Sequence, residues 1–209
     1  MNLGNFYYIT DSGMSKNGIA DDVRAAINAG VSVIQYREKN KPKKKMLEEA
    51  AALKKICREK STLFIVNDHV DIAMDVGADG VHVGQGDTSI AMARRFMPNK
   101  IVGVSATSLE QALKAQGEGA DYIGAGPVFS TSTKKDAAEP MGTETLKEIK
   151  RNVTVPVVAI GGITRDNLKE VVRSGVDSVV MMSAVAGSED QGKEIKAAIK
   201  TIRNMRSEE

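Results

Sequence analysis

Every second residue of Val31-Ser32-Val33-Ile34-Gln35-Tyr36-Arg37-Glu38-Lys39 passes from apolar to polar and then to cationic. In an extended strand, residues two apart share a face. Val31, Val33, Gln35, Arg37 and Lys39 therefore line up, with Tyr36 and Glu38 pointing the other way. A buried strand has little structural use for an amide, a guanidinium and an ammonium in a row. An anionic ligand supplies their partner; a structural ion-pair network at a rim is the other reading. Asp68 and Asp87 end the runs Ile65-Val66-Asn67-Asp68 and Val81-His82-Val83-Gly84-Gln85-Gly86-Asp87. Two carboxylates beside cations suit a hydrated divalent cation bridged to phosphate, because Mg²⁺ is commonly held by one or two carboxylates, water and substrate phosphates. Each aspartate could instead cap a helix, Asp68 one near His69 and Asp87 one near Thr88.

Ile160-Gly161-Gly162-Ile163 and Met181-Met182-Ser183 are a second candidate anion site. Paired glycines let backbone N–H groups approach a phosphate closely; a tight turn without ligand is the alternative. Two anion sites imply two phosphorylated substrates. The polar segment 129–142, which carries Thr131, Thr133 and Lys134, is long for a loop and reads as a lid or a mobile surface loop. His82 reads as packed or hydrogen-bonded rather than catalytic, and His69 as the start of a helix. Cys57 falls on the apolar stripe of segment 42–60 with Met46, Leu47, Ala50, Leu53 and Ile56, and reads as a small core hydrophobe.

These residues need a frame that brings them to one place. Eight short β-rich runs, at 6–10, 31–37, 63–67, 80–83, 100–105, 122–126, 155–160 and 178–183, alternate with helical patterns. The joints Ala29-Gly30-Val31, Gly77-Ala78-Asp79, Gly119-Ala120-Asp121 and Gly175-Val176-Asp177 supply a glycine where a helix must close. Alternation of this kind predicts a parallel sheet. At about 26 residues per repeat, the expectation is a single-domain α/β protein, a compact (β/α)8 TIM barrel over residues 1–209. A doubly wound open sheet fits less well, as no Gly-x-Gly-x-x-Gly follows the first strand. Barrel active sites lie at the C-terminal ends of the strands, where the polar residues above fall.

Of the 209 residues, 42% are hydrophobic and 27% charged, with a net charge of +2. That near-balance does not suggest nucleic-acid binding, and the Lys39–Lys45 cluster reads mostly as a solvated loop. One cysteine excludes an intramolecular disulfide and a Cys-based zinc cluster. No apolar run approaches a membrane span, and the N-terminus lacks a signal-peptide pattern. The expectation is a cytoplasmic protein with no nucleic-acid or membrane partner, homo-oligomerisation being left open.

The ordered set Gln35-Tyr36-Arg37-Glu38-Lys39, Ile65-Val66-Asn67-Asp68, Val81–Asp87, Gly103-Val104-Ser105, Gly126-Pro127-Val128-Phe129 with Thr131-Ser132-Thr133-Lys134, and Ala159–Ile163 resembles the thiamine phosphate synthase family over nearly the whole chain. The resemblance implies a (β/α)8 barrel that joins hydroxymethylpyrimidine diphosphate to a thiazole phosphate, or its carboxylated precursor, releasing diphosphate. It implies that Gln35, Arg37, Lys39, Asn67, Ser105 and Lys134 hold the pyrimidine substrate, with Arg37, Lys39, Ser105 and Lys134 as the catalytic candidates. It implies that Asp68 and Asp87 bind one Mg²⁺ per subunit. Thr131, Thr133, Gly162 and Ser183, with Met182 beside them, match the thiazole-phosphate site. Thr107 departs from the pattern, since many relatives carry His there and the related thiazole tautomerases look to use it as acid/base. A tautomerase or sugar-phosphate epimerase on the same barrel, or a sensor of thiamine phosphate or its precursors, are the rival readings.

Overall fold

A computed structural model describes residues 1, 3–86, 89–131, 133 and 138–208. Its strands are β1 (Tyr7–Ile9), β2 (Val33–Tyr36), β3 (Leu63–Asn67), β4 (Gly80–Val83), β5 (Ile101–Ala106), β6 (Tyr122–Ala125), β7 (Val157–Ala159) and β8 (Ser178–Val179). The helices are α1 (Ile19–Asn28), α2 (Lys43–Glu59), α3 (Val70–Asp75), α4 (Ile90–Phe96), α5 (Leu109–Gly117), α6 (Gly142–Asn152), α7 (Leu168–Arg173), α8 (Met182–Ala186) and α9 (Gln191–Ser207). The strands pair in parallel and in chain order, and a bridge from Phe6 to Val179 brings β8 back to β1. This is the (β/α)8 barrel that the alternating pattern predicts. No described helix is long and apolar enough to cross a membrane.

Local chemistry sets the boundaries. The amphipathic stripe of α2 buries Met46, Ala50, Leu53, Ile56 and Cys57. Burial pushes the Cys57 thiol up to about 12, so it packs as a hydrophobe. Ser89, Ser108 and Asp190 cap α4, α5 and α9 by accepting the Met92, Gln111 and Lys193 amides. After α5, Gly119 adopts φ 93° and Ala120 N–H reaches back to Ala115 O at 2.9 Å, which satisfies a carbonyl orphaned at the helix end.

The residue after such a joint does further work. Asp79, Asp121 and Asp177 stand just before even-numbered strands or at their threshold. Each carboxylate accepts an amide at the start of the preceding strand, from Phe64, Val102 and Val157 at 2.8, 2.7 and 2.7 Å. Each also pairs with a basic residue of a helix, Lys54, Arg94 and Lys150 respectively. The clamp recurs every second βα unit on the N-terminal face of the barrel, where side chains serve stability rather than chemistry.

Two apolar clusters flank the sheet. The larger fills the space between strands and helices; the smaller lies inside the barrel and contains Tyr7, Val33, Ile65, Tyr122, Val158 and Val180. Val33 is interior as expected, but Val31 belongs to the outer cluster. Its amide still bonds to Ala26 O at the end of α1, so the strand alternation begins two residues later. The eighth strand is also shorter than its apolar run suggests, because Met182 and Ser183 open α8 instead. Gly103 and Gly124 leave room inside the barrel for two rings. A Cβ at Gly103 would lie 2.0 Å from Tyr122 Cζ, and one at Gly124 would lie 2.9 Å from His82 Cε1.

Candidate functional site

A cavity of about 290 Å³ opens at the C-terminal ends of the strands. Gln35, Arg37 and Lys39 all line it, so the alternation holds past the end of β2. Gln35 and Arg37 are fixed by residues in and just after β1. Gln35 Nε2 donates to Tyr7 OH at 2.9 Å. Arg37 N–H donates to Thr10 Oγ1 at 3.0 Å, and its guanidinium meets Asp11 Oδ2 at 3.1 Å. Thr10 and Asp11 carry no spacing signal; they matter because β1 runs beside β2.

Lys39 is positioned from behind. Glu38, 6% exposed, accepts the backbone amides of Lys39 and Asn40 at 2.8 and 2.9 Å and the Ser12 hydroxyl at 2.5 Å. Lys41 lies 3.3 Å from the same carboxylate. Burial pushes that carboxyl up, but the bonds from Ser12, Asn40, Lys41 and Lys39 outweigh it and hold it at about 2. Stability from a depressed carboxyl is present above its unfolded value, near 4.5, and is lost as pH falls toward 2. Glu38→Gln is expected to cost on the order of 2–3 kcal/mol at neutral pH and to flatten that acid limb, read by urea unfolding at stepped pH. A limb as steep as the wild type's contradicts this.

Asn67 and Asp68, at the end of β3, and Ser105, in β5, also face the cavity. Asp68 does not cap α3, whose N-cap is His69 without a side-chain cap bond. It adopts φ 61° and its amide donates to His82 O at 2.8 Å. A left-handed residue other than glycine is uncommon, and such geometry gathers at functional sites. Asp87 and Lys134 lie outside the described residues; α4 is capped by Ser89. Thr107 lines the cavity too, and its hydroxyl donates to Gln111 Oε1 at 3.1 Å.

A second wall is built from backbone. Gly161 and Gly162 take φ 101° and 64°. Side chains there would strike Pro127 and the Ser130 carbonyl, each at 2.5 Å, so the turn needs glycine twice. Asn167 holds it by donating to Gly162 O at 2.9 Å. Gly162, Thr131, Thr133, Met182 and Ser183 all line the same cavity as the cationic row. The two candidate anion sites therefore line one chamber, together with Val158, Ile160 and Val180.

Three lining residues escape a reading by spacing. Tyr7, Tyr122 and His82 occupy inward positions of β1, β6 and β4 and are hydrogen-bonded to one another. His82 is hydrogen-bonded, as the sequence suggests, and it also lines the cavity. Burial pushes both phenols far above their ordinary range, so they stay neutral at any physiological pH. The available signal was glycine inside a strand, at 103 and 124, which marks a close approach by another group.

Residues 6–185 match the family model described as thiamine monophosphate synthase. The chain is 46% identical to thiamine-phosphate synthase of Methanosarcina barkeri over 202 residues, covering 96% of this chain and 91% of that protein. It is 44% identical to the Pyrococcus furiosus thiamine-phosphate synthase over 208 residues, covering 98% and 99%. The solved structure of thiamine phosphate pyrophosphorylase from Pyrococcus furiosus superposes with a TM-score of 0.91 at 42% identity, covering 98% of each chain.

Proposed function

The chain belongs to the thiamine-phosphate synthase family, and on that premise we propose how its cavity joins two phosphorylated substrates. It is a transferase. The pyrimidine substrate carries a methylene diphosphate, and the thiazole substrate carries a phosphate on its side chain. The C–O bond to diphosphate breaks first and its electron pair leaves with the diphosphate. The pyrimidine ring's amino group delocalises the resulting cation, and the thiazole nitrogen lone pair then forms the C–N bond. No proton moves and no protein nucleophile is required.

Arg37, Lys39 and Lys134 stabilise the charge that grows on the departing diphosphate, while Asn67 orients it. Gln35 and Ser105 hold the pyrimidine ring. Thr131, Thr133, the Gly162 backbone and Ser183 hold the thiazole phosphate, with Met182 packed beside the ring. The apolar lining of Val158, Ile160 and Val180 keeps water from the short-lived cation. Asp68, with Asp87, would hold Mg²⁺. Hard carboxylate oxygen in this donor set, and the left-handed backbone that presents Asp68 to the cavity, fit such an ion. When bound, it adds charge stabilisation to the diphosphate.

The observation that carries the proposal is the meeting, in one cavity, of a cationic row and a glycine turn that stand 127 positions apart at Gln35 and Gly162. A chamber for one phosphate ester leaves half of these groups unexplained. An isomerase reading also needs a placed acid/base, and Thr107 has none to offer near neutral pH. Calorimetric titration with inorganic diphosphate tests the arrangement. Mg²⁺ is expected to tighten binding by about tenfold or more. Equal affinity with Mg²⁺ and with EDTA contradicts the cation-bridged site.

A further inference from the structure

Five side chains form one hydrogen-bonded line across the barrel. Gln35 Nε2 donates to Tyr7 OH at 2.9 Å, and Tyr7 OH lies 2.8 Å from Tyr122 OH. Tyr122 OH is 2.9 Å from His82 Nδ1, and His82 Nε2 is 2.9 Å from Ser105 Oγ. Both phenols are 1% exposed, and the two ends of the line, Gln35 and Ser105, face the cavity. By distance alone either phenol could donate to the other. An amide nitrogen only donates, so Tyr122 is the one partner in the line left for the Tyr7 proton, and the order that uses every proton runs from Tyr7 to Tyr122. The Tyr122 proton passes in turn to Nδ1. A neutral imidazole that accepts at Nδ1 carries its proton on Nε2 and donates it to Ser105. Gln35 is left with Oε1 for a ligand, and Ser105 with its hydroxyl proton.

We propose that Tyr7, Tyr122 and His82 are positioning residues that lock this one-way relay. Gln35 then meets the ligand as an acceptor and Ser105 meets it as a donor. Together they select a heteroaromatic edge that offers an amino N–H and a bare ring nitrogen over one with the opposite polarity. The choice of ring rests on the pyrimidine reading above. The fold reserves space for this relay: Gly103 lies against the Tyr122 ring and Gly124 against the His82 ring. Burial keeps both phenols protonated, so neither link is lost by ionisation. A reversed order would turn the Gln35 amide over and present a donor where the amino group must sit.

Two measurements test it. In ¹⁵N-labelled full-length protein, long-range ¹⁵N–¹H correlation reads the His82 tautomer, assigned against His82→Gln. At mildly alkaline pH, where imidazole is neutral, the Nε2–H form is expected. An Nδ1–H form overturns the relay, whatever the enzyme's substrate. The second measurement is selectivity. Tyr122→Phe keeps the ring and removes both of its links, to Tyr7 and to His82. Its preference in kcat/KM for the 4-aminopyrimidine diphosphate over the 4-oxo counterpart should fall by about tenfold or more. KM for the thiazole phosphate should stay within about twofold of the wild type's. Unchanged preference in a folded variant overturns the proposal. Tyr7→Phe removes the links to Gln35 and Tyr122 and gives the same readout if Tyr122→Phe does not fold. Wild-type protein that makes no product from the aminopyrimidine diphosphate refutes the choice of ring, leaving the tautomer to judge the relay.

Discussion

Replacing Arg37 with alanine is expected to lower kcat for thiamine phosphate formation by about 10²–10³-fold while the protein stays folded. The argument is one of charge and place. In the proposed step the diphosphate gains charge as the C–O bond lengthens, and a fixed cation in a water-poor cavity stabilises that change far more than it stabilises the ground state. Arg37 is already aimed: Asp11 holds its guanidinium at 3.1 Å and Thr10 holds its backbone. It lies at the cavity wall and outside both apolar clusters, so its loss opens no core void. Arg37→Lys should recover only part of the loss, because an ammonium cannot present the planar fork. Steady-state kinetics with circular dichroism as a control checks this. A kcat within about threefold of the wild type's contradicts the role.

Gly103→Ala is expected to have the largest effect on stability. A Cβ there would sit 2.0 Å from Tyr122 Cζ and 2.4 Å from its hydroxyl oxygen, against the 3.5–4.0 Å of an ordinary carbon contact. The tyrosine cannot step aside freely, since its hydroxyl bonds to both Tyr7 and His82. Neighbouring backbone must shift instead. Overpacking of this kind costs about 3 kcal/mol or more, which for a domain of this size lowers Tm by roughly 6–12 °C. Activity should fall as well, because the displaced ring carries the line that ends at Gln35 and Ser105. Scanning calorimetry that finds Tm within about 2 °C of the wild type's contradicts the packing account.

The fold was legible wherever a local pattern carried it. Glycine joints mark where α1, α3, α5 and α7 end, the stripe of α2 marks its buried face, and the alternation from Val33 to Lys39 faces inward as read. The pattern misleads where local chemistry changes before the composition does. Val31 looks like a strand residue, yet its amide still closes α1 and its side chain faces the helices. The run from Ser178 to Ser183 is apolar enough for a strand, but periodicity cannot separate a short buried strand from the start of a buried helix, and α8 begins inside it. The next helix starts near Thr88 as read, with Ser89 supplying the capping oxygen.

The site was legible as chemistry and less so as support. Gln35, Arg37, Lys39, Asn67, Asp68 and Ser105 announce themselves because polar groups at strand ends are unusual. Tyr7 and Tyr122 do not, since an aromatic in a strand reads as core. Their bond joins residues 115 positions apart, and no spacing rule encodes a contact that only barrel closure creates. Glu38 was visible as the outward-facing neighbour of two cations. Its task of holding the Lys39 amide follows only from the turn that the chain makes after β2.

Thiamine phosphate formation is measured in a single assay. The purified protein is mixed with hydroxymethylpyrimidine diphosphate, thiazole phosphate and Mg²⁺, with a parallel tube containing EDTA, and thiamine phosphate is read as fluorescent thiochrome after oxidation. Product that forms with Mg²⁺ and is abolished by EDTA is the predicted result. A folded protein that forms no product from authentic substrates, or forms it equally well in EDTA, contradicts the account.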